Sequence, residues 1–234
     1  MLSSQDPERG VAPSTEPIVI SSLDPPVRGF IHTPSSPLGL GLVLTHGAGG
    51  DCRTPMLITL AEAGANLGLT VLRCDLPYRQ MRPSGPPRPG GSARDRAGLA
   101  NAVALLAGRA GNVVCMGGQS YGGRQATMLA AEQPGLAHAL LILSYPLHPP
   151  RRSGELRTAH LPQLRTPAMF VQGSRDPFGS VTEMEAALRL ISAPTILMTI
   201  DGVGHDLMAR GGRSGDRVGE IARRFVEFAT SDHS

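Results

Sequence analysis

Asn112-Val113-Val114-Cys115-Met116-Gly117-Gly118-Gln119-Ser120-Tyr121-Gly122-Gly123-Arg124 is the stretch from which the fold is read. A continuous apolar run enters a glycine turn with one serine at its centre, and the residues from Arg124 to Glu132 then read as a helix. Strand, sharp Gly-x-Ser-x-Gly turn and helix together make a nucleophile elbow, with the serine hydroxyl raised at the carboxyl end of a sheet. The turn forces the serine into a strained backbone conformation, and Gly118 and Gly122 must be small so that strand and helix can approach. A helix amino end beneath the hydroxyl favours developing negative charge. The competing interpretation is a glycine-rich connection without chemistry, and the rest of the chain decides between them.

Outward from this turn the same rhythm repeats. Upstream, Pro17–Ile20 and Val27–His32 are short strand candidates around the turn residues Ser22–Pro26, suited to a hairpin at a sheet edge. Gly41–Thr45 and Thr70–Cys74 are apolar runs of the kind buried on both faces of a parallel sheet. A helix is expected between them from Pro55 to Leu67, closed by Gly68, and another over Ala93–Ala107. Asp75–Gly91, rich in Pro, Gly and Arg, reads as one long loop of functional or mobile character. Downstream lie strand candidates at Ala139–Leu143, Ala168–Gln172 and Thr195–Ile200, with helices near Val181–Leu190 and Gly215–Phe228. Up to eight strands alternating with helices predict an α/β domain over residues 16–234, its mostly parallel sheet covered on both faces, after a loose polar tail over residues 1–15.

The chemistry then follows from three side chains, each just after its own apolar run. A serine hydroxyl needs a neutral imidazole to take its proton, and the imidazole needs a carboxylate to fix its tautomer. Ser120, Asp176 and His205 occur in the chain order of the α/β-hydrolase triad. Asp75 is the rival acid, while Asp201 and Asp206 stand too near His205 in sequence to reach its ring well; Asp206 suits capping of the following turn. His46, His148 and His160 are rival histidines, and Asp176 has a plain alternative as a loop carboxylate beside Arg175. His46-Gly47-Ala48-Gly49-Gly50 is the expected oxyanion loop, with the N–H of Ala48 or Gly49 acting with that of Tyr121. It lacks the Gly-Lys-Ser/Thr ending of a phosphate-cradling loop.

Several segments carry a resemblance: Leu44–Gly49, Asp75–Tyr78, Gly117–Arg124, Ser144–Pro150, Leu156–Leu161 and Gln172–Gly179. With these, the chain resembles the small lidless α/β-hydrolases related to dienelactone hydrolase, and within them the bacterial relatives of a group that includes a testis-expressed mammalian protein and a subunit of a nuclear histone-acetyltransferase complex. The resemblance runs from about residue 40 to residue 206 and implies the same triad. Tyr121, where Met is common in that group, and the Pro- and Arg-rich 75–91 loop depart from it.

Composition narrows the remaining classes. Among 234 residues, hydrophobic content is 41% and aromatic content 3%, with no Trp, so the core is aliphatic. The net charge of +3 comes from scattered arginines without a single lysine, which speaks against a nucleic-acid partner. Cys52, Cys74 and Cys115 read as reduced thiols, two of them in buried strands; no Cys/His spacing suggests a metal, and no cofactor is implied. Met1–Pro13 has no apolar core of a signal peptide, and no run nears the roughly 20 residues of a membrane span, so a soluble cytoplasmic monomer or homodimer is expected. The short connection between Leu143 and Ala168 leaves no room for a cap, which implies an open site for a small or short-chain ester, thioester or lactone. His46, Arg79, Arg124, His148 and His160 are candidate substrate contacts; Arg79, Arg82 and Arg124 are placed to hold an anionic group if they are not simply solvated. The alternatives are a hydrolase-like binding scaffold with little catalysis, or an acyltransferase using the same serine chemistry.

Overall fold

A computed structural model describes residues 12–208 and 214–232, so residues 1–11 of the expected tail lie outside the described residues. Strand β1 (Ser14–Ile20) begins inside that expected tail, because its backbone pairs antiparallel with β2 (Val27–Thr33) from Ser14↔Thr33 onward. The chain continues through β3 (Leu40–Thr45), α1 (Pro55–Asn66), β4 (Thr70–Cys74), α2 (Pro77–Met81) and α3 (Ser92–Ala110). Then come β5 (Val113–Gln119), α4 (Tyr121–Glu132), β6 (Leu140–Leu143), β7 (Ala168–Gly173), α5 (Val181–Leu188), β8 (Thr195–Ile200) and α6 (Ser214–Thr230).

The strands form one sheet in the order β1-β2-β4-β3-β5-β6-β7-β8; β1 and β2 run antiparallel to their neighbours and the rest are parallel. Successive side chains of a strand point to opposite faces, which divides the core in two. Val43, Met116, Ile142 and Phe170 join Leu99, Leu106, Leu129 and Met184 of α3, α4 and α5. Leu42, Cys115, Leu141 and Met169 join Leu57, Leu60, Ile221 and Phe225 of α1 and α6 on the other face. Each large aliphatic side chain buried in this way contributes roughly 1.5–3 kcal/mol. Two covered faces explain why these strands read as unbroken apolar runs.

The long-loop expectation for residues 75–91 is corrected in part by α2. Pro77 stands in its first turn, where the fixed ring φ suits a helix start, and the Arg79 N–H closes onto the Leu76 carbonyl at 2.8 Å. Proline-rich composition hid a helix of a single turn. The order of strands turns back at β3, with β4 on one side and β5 on the other, and the carboxyl ends of the strands beside such a reversal are where sheets of this kind bind their ligands. Residues 144–167 hold only a 3₁₀ turn, Leu161–Gln163, so no cap domain is inserted there over the carboxyl ends of the strands.

Candidate active site

Ser120 occupies the one residue between β5 and α4, at φ 52° and ψ −114°. This is costly backbone for a residue with a Cβ, and its surroundings fix it. The Ser120 N–H donates to the Leu143 carbonyl at 2.8 Å, and its own carbonyl accepts from the Arg124 N–H at 2.9 Å. The flanking glycines are required by close approach: a Cβ on Gly118 would lie 2.4 Å from the Thr45 carbonyl oxygen, and one on Gly122 would lie 2.6 Å from that of His46. Ser120 is therefore seated at the start of α4, whose first N–H groups have no carbonyl within the helix to meet.

His205 arrives on the loop after β8. That loop is drawn onto the end of β7 by the Arg175 N–H, which donates to the Val203 carbonyl at 2.9 Å. Gly173 permits the contact, since a Cβ there would be 2.5 Å from the carbonyl oxygens of both Val203 and Gly204. The His205 Nε2 lies 2.8 Å from Ser120 Oγ, and its Nδ1 lies 2.8 Å from Asp176 Oδ2. These partners assign the proton to Nδ1 and leave Nε2 free to accept. Asp176 is buried after β7; its Oδ1 accepts from the Phe178 N–H at 2.8 Å and its Oδ2 from Gln172 Nε2 at 3.0 Å. The Phe178 ring packs on the imidazole with centroids 4.2 Å apart, and the His205 side chain keeps 24% of its surface exposed. Such a chain can move a proton from the serine hydroxyl to the imidazole while the carboxylate stabilises the charge.

The profile of a family described as an alpha/beta hydrolase domain matches residues 40–230. The chain belongs to the alpha/beta hydrolase domain family. Solved structures share the fold of this hydrolase at low sequence identity. A dienelactone hydrolase from Anabaena variabilis is 20% identical, covers 93% of this chain and 99% of its own, and superposes with a TM-score of 0.74. An α/β serine hydrolase without lid from Xanthomonas campestris is 14% identical over 95% of this chain and 97% of its own, with a TM-score of 0.70. A dienelactone hydrolase-like promiscuous phosphotriesterase from metagenomic libraries is 17% identical over 93% and 99%, with a TM-score of 0.67.

Three of this hydrolase's expected substrate contacts are buried and occupied by partners within the chain. His46 is fully buried: its Nε2 accepts from the Leu76 N–H at 3.1 Å, its Nδ1 donates to the Gly47 carbonyl at 2.9 Å, and burial lowers its pKa. It staples the end of β3 to the end of β4. Arg79 is buried and gives four of its five N–H donors to backbone carbonyls, those of Ala48, Gly50, Arg82 and Gly85. His148 is buried, with Nδ1 on the Pro149 carbonyl at 2.9 Å and Nε2 3.5 Å from Glu183. Half-buried His160 bonds Thr127 Oγ1 at 2.8 Å, and burial followed by the charge of Arg124 brings its pKa to about 4. Arg124 is half-buried on α4, its buried Nε without a hydrogen-bond partner among the described residues.

The rival acids of the alpha/beta hydrolase are likewise placed. Asp75 accepts from the Cys52 N–H at 2.8 Å and stands 3.8 Å from His46, while Asp201 accepts from Ser174 Oγ at 2.9 Å. Asp206 accepts from the Met208 N–H at 3.3 Å, the capping role its position suggested. Gln172 and Phe178, which hold Asp176 and His205, were given no role from sequence; their signal was their place in the Gln172–Gly179 segment that carries the resemblance. Among the described residues no group of three or more His, Cys, Asp or Glu side chains gathers to hold a metal ion, and no helix is long and apolar enough to cross a membrane.

Proposed function

We propose that this alpha/beta hydrolase is a serine hydrolase that cleaves a small or short-chain ester, thioester or lactone through an acyl-enzyme on Ser120. The supporting observation is the unbroken hydrogen-bond chain from Ser120 Oγ through His205 to Asp176, with both links at 2.8 Å. Ser120 Oγ attacks the carbonyl carbon as His205 Nε2 takes its proton, and Asp176 accepts the Nδ1–H and stabilises the imidazolium. The tetrahedral oxygen collects negative charge and is met by the N–H of Tyr121 and that of Ala48 or Gly49. The imidazolium returns its proton to the leaving alcohol or thiol, the C–O or C–S bond breaks, and a water activated by the same imidazole releases the acid.

The small substrate is supported by the missing cap and the partly exposed imidazole, which leave little to shield a long acyl chain. Purified protein and its Ser120→Ala variant are to be compared on p-nitrophenyl acetate and butyrate, with a labelled fluorophosphonate as a probe of the activated serine. Turnover and labelling of the wild type alone are expected. Equal background rates and no labelling in either would dismiss the hydrolase reading in favour of a binding scaffold.

A further inference from the structure

Asp95 lies on α3, outside the Ser120–His205–Asp176 chain, and is only 1% exposed. Its Oδ1 accepts from the Tyr78 N–H at 3.0 Å, and its Oδ2 accepts from the Tyr121 hydroxyl at 2.7 Å. One carboxylate thus grips α2 and the first residue of α4 at once. The two phenol rings meet edge to face with centroids 5.7 Å apart. The Tyr78 hydroxyl in turn lies 3.0 Å from the Ala48 carbonyl oxygen and 3.2 Å from that of Gly47, and shares its proton between them. Arg79, next on α2, adds donors to Ala48 at 3.1 Å and Gly50 at 2.8 Å. Burial raises both phenols above their ordinary pKa, Tyr78 to about 12, so each hydroxyl remains a donor.

The consequence comes from peptide geometry. In a trans peptide unit the C=O of one residue and the N–H of the next point in opposite directions. With the carbonyls of Gly47 and Ala48 drawn toward α2, the N–H groups of Ala48 and Gly49 are turned away from it. The loop at that point runs against the nucleophile: a Cβ on Gly47 would lie 3.4 Å from Ser120 Cβ. The second oxyanion donor, the Tyr121 N–H, belongs to the residue whose hydroxyl Asp95 holds.

We infer that Asp95 and Tyr78 are positioning residues that set both halves of the oxyanion hole from behind, Asp95 by tying Tyr121 to α2 and Tyr78 by pinning the carbonyls of the loop after β3. This inference rests on Ser120 being the nucleophile. Donors aimed at developing charge stabilise it only when they are held in advance, because reorganising them at the moment of reaction costs much of the benefit. Neither side chain touches the reacting atoms.

The test uses a pair of substrates differing in one atom, a p-nitrophenyl-type ester and its thionoester, in which sulfur replaces the carbonyl oxygen. Sulfur is larger and a poorer hydrogen-bond acceptor, so a well-aimed hole accelerates the oxygen ester far more. Tyr78→Phe keeps the ring contacts and deletes the hydroxyl; Asp95→Ala removes the grip, and Asp95→Asn retains one acceptor. Tyr78→Phe and Asp95→Ala are each expected to lower kcat on the oxygen ester by roughly ten- to a hundredfold, and on the thionoester by less than about threefold, with Asp95→Asn between them and the wild type. A merely structural role lowers both rates together in step with thermal stability. Equal losses on the two substrates, or none on either, overturn the bracket while leaving Ser120-dependent turnover of the wild type intact. A wild type without Ser120-dependent turnover would overturn the hydrolase reading and the bracket with it.

Discussion

Gly173→Ala puts a methyl group where the histidine loop crosses the end of β7. The added Cβ would sit 2.5 Å from the carbonyl oxygens of Val203 and Gly204, where ordinary contact begins near 3.4 Å. Both opposing atoms are backbone, so no side chain can rotate aside, and the loop must retreat by about 0.9 Å, the difference of those two distances. His205 follows Gly204 directly. A retreat of that size stretches the 2.8 Å link from its Nε2 to Ser120 Oγ past hydrogen-bond reach. Misplacement by about 1 Å costs on the order of a hundredfold in rate. The same overlap costs roughly 1–3 kcal/mol of stability, as overpacking generally does, which lowers Tm by about 2–4 °C for each kcal/mol in a domain of this size. The assay is kcat/KM on a short p-nitrophenyl ester at 20 °C, well below the variant's melting point, with Tm measured in parallel. A variant within about twofold of wild-type turnover, with Tm lowered as expected, would refute the link between this contact and the histidine's position.

Asp176→Asn keeps the shape but offers its amide N–H to His205 Nδ1, which favours the wrong tautomer; kcat is expected to fall by about a thousandfold or more, with near-native circular dichroism. Gly108→Ala, at an open position on α3 with nothing within 4 Å of the new methyl, is expected to raise stability by roughly 0.5–1 kcal/mol in urea denaturation and to leave turnover unchanged. His32 is buried with Arg73 Nε donating to its Nε2 at 2.8 Å, and burial first and the Arg73 charge second bring its pKa down to about 4. The unfolded chain takes up that proton near pH 6.5, so the stability it contributes is full above that pH and is lost as pH falls toward 4, by on the order of 2 kcal/mol. His32→Gln, which keeps an acceptor for Arg73, is expected to flatten the fall in urea midpoint between pH 7 and pH 4.5; an unchanged slope would assign the acid sensitivity elsewhere.

The Gly-x-Ser-x-Gly turn was legible because its requirements are local. A strand, two obligatory glycines and a helix start within a dozen residues constrain one another whatever the rest of the chain does. The parallel sheet was legible because burial on both faces erases alternation and leaves apolar runs such as Leu140–Leu143. Helix α2 was not, since its one turn carries too little periodicity to outweigh neighbouring prolines. Nor were the occupations of His46, Arg79 and His148. Their residue types suit a substrate mouth and suit a buried clamp equally well, and only the partners around them decide which.

By itself the sequence determined the order of most elements and the serine at its strained turn, and it proposed Asp176 and His205 as the partners of that serine, because the elements and the turn rest on backbone propensity and burial periodicity within short segments. The tertiary structure alone decided the strand order, the hydrogen bonds that bury His46, Arg79 and His148, and the grip of Asp95 on two tyrosines. Those outcomes depend on which distant backbone groups and side chains meet once the elements pack, and that is a property of packing in space with no trace along the chain.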